Sequence, residues 1–224
     1  DLIAGLPLYH RTPLIEDVRT LAAYRAGEIQ LESLKLLPGT EMRRRAEELG
    51  IRYSPFPPYE VLQTREITPD ELQRARLLSR LLDAYYNTSA WQDITRRLIT
   101  EQPDFLLHFL DHLIARSVID QPMSLERRGI ILYEYCKTCY PDYTLAVSLA
   151  WIEAGMSLKK QPAERVRTKH VTPPADWQCC WGTYHEGLRL CKLEDESTHR
   201  CYWYGFETEK QETQPCLKAV SILA

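Results

Sequence analysis

The sequence predicts an α/β opening that leads into a mainly α region and ends in a small antiparallel β meander. Three observations predict it. Residues 1–64 alternate apolar, strand-like runs with amphipathic helical ones. Residues 65–160 keep a helical period and lose the strand signal. Past residue 171, short aromatic or β-branched runs stand between polar turns. The chain therefore reads as three regions, 1–64, 65–170 and 171–224.

The opening "DLIAGLP" has the continuous apolar texture of a buried parallel strand, and Gly5 and Pro7 turn it into a loop. Thr12 is the candidate N-cap of the first helix, with Pro13 at its first position. Leu14, Val18, Leu21 and Ala22 recur at helical spacing to about Ala26. A second strand is expected over 29–37, "IQLESLKLL", stopped by Pro38-Gly39. Thr40 caps a short basic helix that Gly50 ends. Two strands separated by a helix suit a parallel crossover unit, and two strands are too few to make a sheet alone.

Thr68, Pro69 and Glu71 stand at N-cap, N1 and N3, a capping box ahead of Leu72, Ala75, Leu78, Leu81 and Leu82 on one helical face. Ser89 with Gln92 reads as a second box. Further helices are expected near 103–117, 124–137 and 141–157, giving a bundle of four or five members. A polar linker, "KKQPAERVRTKHVTPPAD", leads to three expected strands in "EGLRLCKLE", "HRCYWYGFETE" and "CLKAVSIL".

With 28 basic and 31 acidic residues in 224, the net charge of −3 points to neither a nucleic-acid nor a membrane partner. No apolar run approaches the roughly 18–20 residues a bilayer requires, so a cytoplasmic chain is expected. The seven cysteines follow no secreted disulfide framework and are read as reduced thiols.

Taken in order, "DLIAGLP", "IQLESLKLLPGTEMRRRAEELGI", "FPPYEVLQT" and "LLDAYYNTSAW" resemble the cobalamin-binding class of radical S-adenosylmethionine proteins, relatives of the oxygen-independent coproporphyrinogen oxidases. Pro57-Pro58-Tyr59-Glu60 after the "LLPGT" turn is the most specific part. The resemblance covers about residues 1–95, weakens to 160 and says little of the tail. It implies the last strands of a partial (β/α) barrel followed by a helical extension. Such a barrel uses a 4Fe-4S cluster to reduce S-adenosylmethionine and release a 5′-deoxyadenosyl radical. Three thiolates in C-x3-C-x2-C hold that cluster in the family, and the chain carries no such run. The chain is therefore expected to be the C-terminal region of a longer enzyme, not catalytic alone. Its N-terminal remainder would be its partner, and cobalamin would sit on an absent N-terminal domain.

The resemblance places Ile3, Gly5 and Pro7 against the adenosine of S-adenosylmethionine, and Glu32 or Lys35 toward a small-molecule substrate of unknown identity. Strand alternation puts Glu32 and Lys35 on opposite faces, so a regular strand turns only one of them inward. The family continues past Pro7 with an acidic or amide residue, where this chain has Leu8, Tyr9 and His10. Separately, Cys136 and Cys139 form a C-x2-C pair suited to zinc, to an iron–sulfur edge or to thiol exchange. His108 and His112 share a helix face and would complete a Cys2His2 set; packing cysteines and exposed histidines are the bland alternative. Cys179, Cys180, Cys191, Cys201 and Cys216 match no auxiliary-cluster spacing. The rival expectation is a standalone helical protein-interaction module, zinc-stapled at Cys136 and Cys139.

Overall fold

A computed structural model describes residues 1–154, Met156, Lys160, Pro162 and the backbone of four strands between 165 and 222. Among these the chain is mainly helical, and the strands close no barrel. It divides into two compact units, 1–122 and 123–224; the helical region expected over 65–170 runs across that division.

The first unit opens with β1 (Leu2–Ala4), α1 (Arg11–Ala23) and β2 (Leu31–Ser33). β1 and β2 pair in parallel, Leu2 with Leu31, Ile3 with Glu32 and Ala4 with Ser33, which is the crossover unit the sequence predicts. Both strands are shorter than expected. Leu14, Val18 and Ala22 of α1 are buried as their spacing requires. The cap differs from the expectation: His10 is the N-cap residue, and Pro13 occupies the third helical position. Proline is tolerated there because the first-turn N–H groups have no helical acceptor in any case.

α2 (Glu41–Arg44) starts where Thr40 accepts the Arg43 N–H, as read from the sequence. Gly50 stops the following turns with φ +67°. An antiparallel pair that the sequence reading lacks, β3 (Arg52–Tyr53) with β4 (Val61–Gln63), comes next. A bridge between Lys35 and Glu60 joins this pair to the end of β2.

α3 (Pro69–Leu81) carries the full capping box, with Thr68 accepting from the Glu71 N–H and Glu71 accepting from Thr68. Leu72, Ala75, Leu78, Leu81 and Leu82 are all buried. The helix then widens into a π-turn, Leu82–Tyr86, before α4 (Ser89–Glu101) and α5 (Phe105–Ala115). Ser89 with Gln92 is not a capping box: Thr88 is the N-cap residue, and Gln92 Nε2 donates instead to the Gly27 carbonyl at 2.6 Å. Tyr85 meets Phe109 edge-on at 5.0 Å, and Phe105 stacks on Phe109 at 5.2 Å.

The second unit holds α6 (Leu125–Cys139), capped by Ser124, a 3-10 turn at Pro141–Tyr143 and α7 (Thr144–Glu153). Ile131, Leu132, Tyr135, Val147 and Trp151 are buried in this unit. Its sheet has the order β5 (Arg165–Thr168), β6 (Arg189–Asp195), β7 (Arg200–Phe206), β8 (Pro215–Ile222), antiparallel throughout. The last three are the expected meander. β5 lies within the stretch read as linker, where Arg-Val-Arg-Thr alternates at strand period amid Lys, Gln and Pro.

Candidate functional site

The parallel pair is covered on one side. Ala4 and Leu31 are buried beneath the helices, whereas Ile3 is 40% exposed beside the exposed Glu32 on the other face. β1 has β2 as its sole strand neighbour among the described residues, which leaves its other edge unpaired. At the C-terminal end of β1, Gly5 is buried with φ +92°, a conformation that L side chains rarely adopt. A Cβ there would touch Leu72 Cδ2 and Val61 Cγ1 at 3.4 Å, so the space beside Gly5 belongs to the core. Pro7 follows, half-buried.

Glu32 and Lys35 are brought together, not split between faces. β2 is regular only to Ser33; Lys35 then bridges to Glu60, and its Nζ comes 3.6 Å from Glu32 Oε2. Both side chains remain open, 44% for Lys35 and 68% for Glu32, so the pair is weakly bound and its groups are available to a ligand. The Pro57-Pro58-Tyr59-Glu60 corner beside it is held by Arg43. That guanidinium lies 4.7 Å from the Tyr59 ring centre and 5.1 Å from that of Tyr53, and donates to the Leu36 carbonyl at 3.0 Å.

Sequence reasoning missed the order built into the loop that follows Pro7. Leu8 is 84% exposed at φ +65°, an uncommon conformation for a bulky residue. The Tyr9 hydroxyl donates to Asp17 Oδ2, and burial, with that bond second, raises the Tyr9 pKa above the usual phenol range. His10 Nδ1 lies 3.3 Å from the Glu66 carbonyl oxygen. The one sequence signal was the Tyr-His pair directly past a strand end.

Cys136 and Cys139 sit in the last turn of α6, the first buried and the second exposed. Burial pushes the Cys136 thiol up to about 12, and the nearby Cys139 adds to the rise, so the thiolate needed for thiol–disulfide exchange is suppressed. His108 is exposed, while His112 stacks on Phe109 at 6.3 Å. Asp111 between them pairs with Arg74 at 2.5 Å. Among the described residues no group of three or more His, Cys, Asp or Glu is placed to hold a metal ion, and no helix is long and apolar enough to cross a membrane. Cys179 and Cys180 lie outside the described residues, and Cys191, Cys201 and Cys216 lie in strands whose backbone alone is described.

Residues 47–149 match a family model described as a protein of unknown function, DUF4080. The match takes in β3, β4 and α3 to α6, and leaves out β1, α1, β2 and the tail sheet. Domains of this kind are associated with radical S-adenosylmethionine and cobalamin-binding proteins in general. None of the curated proteins compared with the chain matches it.

Proposed function

We propose that the chain is the C-terminal region of a radical S-adenosylmethionine enzyme, supplying the closing strands of its (β/α) barrel and a helical extension. One observation carries this reading: the β1–β2 pair is parallel, helix-covered on one face, and open on the other at Ile3 and Glu32. Parallel strands are ordinarily buried on both faces, so this pair has the form of a barrel segment whose inward face awaits the remaining strands. The family association of residues 47–149 points the same way.

The sequence carries no C-x3-C-x2-C run, so in this reading the 4Fe-4S cluster is held by thiolates outside these 224 residues and no step of its chemistry is assigned to them. In this reading the adenosine of S-adenosylmethionine lies against the exposed Ile3 and the half-buried Pro7. Gly5 contributes by turning the strand end, not by opening space to the ligand. In this reading Glu32 and Lys35, whose charged atoms pair at 3.6 Å, are the residues turned toward the substrate.

The test is to read the gene upstream of the Asp1 codon and express the longer frame anaerobically with iron and sulfide. An upstream C-x3-C-x2-C, with reductive cleavage of S-adenosylmethionine to 5′-deoxyadenosine and methionine, is the expected result. A frame without those thiolates, or cleavage by the 224-residue chain alone, overturns it.

A further inference from the structure

We infer that His10 is a proton acceptor for the ligand bound at the C-terminal end of the β1–β2 pair, its Nδ1–H held on the Glu66 carbonyl and its Nε2 lone pair presented outward. This rests on the barrel reading for what the ligand is, but not for the state of the ring.

The loop that carries His10 leaves the end of a parallel strand, where open α/β sheets and barrels place ligand-contacting residues. It is fixed at Tyr9, whose hydroxyl donates to Asp17 and whose N–H donates to the Leu6 carbonyl at 3.2 Å. A carbonyl oxygen only accepts, so the His10 nitrogen 3.3 Å from Glu66 O is the one that bears hydrogen. In the neutral ring Nε2 is then the acceptor, and the His10 side chain is exposed.

A ligand O–H or N–H meeting that lone pair transfers its proton to Nε2. The ligand keeps the electron pair, and the resulting imidazolium retains its Nδ1–H bond without turning. The charged groups around the ring are Arg11 on α1, the Glu66 side chain in the loop before α3, and Glu71 at the start of α3, whose carboxyl is influenced by both His10 and Arg11. With Nε2 as the acceptor, the ligand is one that donates.

The test begins with the 224-residue chain, labelled at its six histidines with nitrogen-15. Two-bond proton–nitrogen correlation spectra should show neutral His10 protonated at Nδ1, the tautomer that free histidine disfavours. Diethyl pyrocarbonate should acylate His10 faster than His108 or His112. A ring protonated mainly at Nε2, or a His10 no more reactive than those two, overturns the inference. His10→Asn keeps a donor for the Glu66 carbonyl but has no second nitrogen. In the longer, cluster-loaded protein it should leave the melting temperature unchanged, lower turnover about 100-fold and remove the acid limb of the pH profile. An unaltered pH profile overturns the inference too. Should the longer protein not cleave S-adenosylmethionine at all, the barrel reading falls, and the tautomer and acylation results still decide His10.

Discussion

Asn87 grips the backbone of Ile29: its Oδ1 accepts the Ile29 N–H at 2.9 Å and its Nδ2 donates to the Ile29 carbonyl at 3.0 Å. A side-chain amide thus acts as a short strand partner just ahead of β2. Tyr86, at the end of the π-turn, donates to the Ala26 carbonyl at 2.6 Å, and Gln92 holds Gly27, so three side chains fasten the α1–β2 connection.

Asn87→Ala should therefore destabilise the first unit by about 2–3 kcal/mol, because both backbone groups of the buried Ile29 lose their partner. Gln92→Ala, which removes one exposed bond, should cost about 1 kcal/mol or less. Urea unfolding of the two variants against the parent chain checks the order; equal losses would contradict the strand-partner role.

Two glycines share a left-handed backbone and differ in their surroundings. At Gly50, φ +67°, a Cβ would lie 2.6 Å from Arg65 Cγ, whose guanidinium donates to the Glu48 carbonyl at 2.7 Å. At Gly39, φ +83°, nothing lies within 4 Å. Gly39→Ala should cost roughly 1–2 kcal/mol from backbone strain, and Gly50→Ala more, since Arg65 must also move. Thermal melts of the two variants decide it.

Glu71 ties the capping box to pH. Hydrogen bonds from Thr68, the backbone N–H first and the hydroxyl second, hold its carboxyl below the usual carboxylate range. A folded-state pKa that is depressed means stability fully present above the unfolded value and lost as pH falls through the folded one. Thr68→Ala should cost about 1 kcal/mol at pH 7 and shrink that acid-side loss. Urea midpoints of parent and variant measured at pH 7 and pH 3 should converge on acidification.

The two thiols of α6 should separate cleanly under alkylation. Iodoacetamide at pH 8 should label Cys139 in the folded chain and leave Cys136 unmodified until denaturant is added, because Cys136 is buried and its thiol raised to about 12. Peptide mass mapping reads the outcome; rapid native labelling of Cys136 would mean that the end of α6 opens.

What the sequence made legible is local. The Thr68–Glu71 box and the Thr40 cap need only neighbours three residues away, and the apolar period of α3 follows from one helix face meeting a core. Long-range bonds decided what was misread. Pro13 fits any place in a first turn, so it did not fix the start of α1. Gln92 at capping-box spacing is drawn instead to Gly27, 65 residues away. The two-residue β3 has no periodicity to detect. At the site, Ile3, Gly5 and Pro7 stand together because they are one strand end, whereas the value of His10 depends on Glu66, 56 residues on. Glu32 and Lys35 met because β2 ends early, which no alternation pattern announces.

The π-turn at Leu82–Tyr86 also sets an angular phase. One residue of an α-helix subtends about 100°, and a π-turn absorbs an extra residue without extending the α-helical count. Wound as plain α-helix at its present length, this turn would swing everything after it by about that angle relative to α3. Asn87 and Gln92 would then face away from Ile29 and Gly27, so the alignment of β2 depends on one wide turn in a helix more than fifty positions downstream.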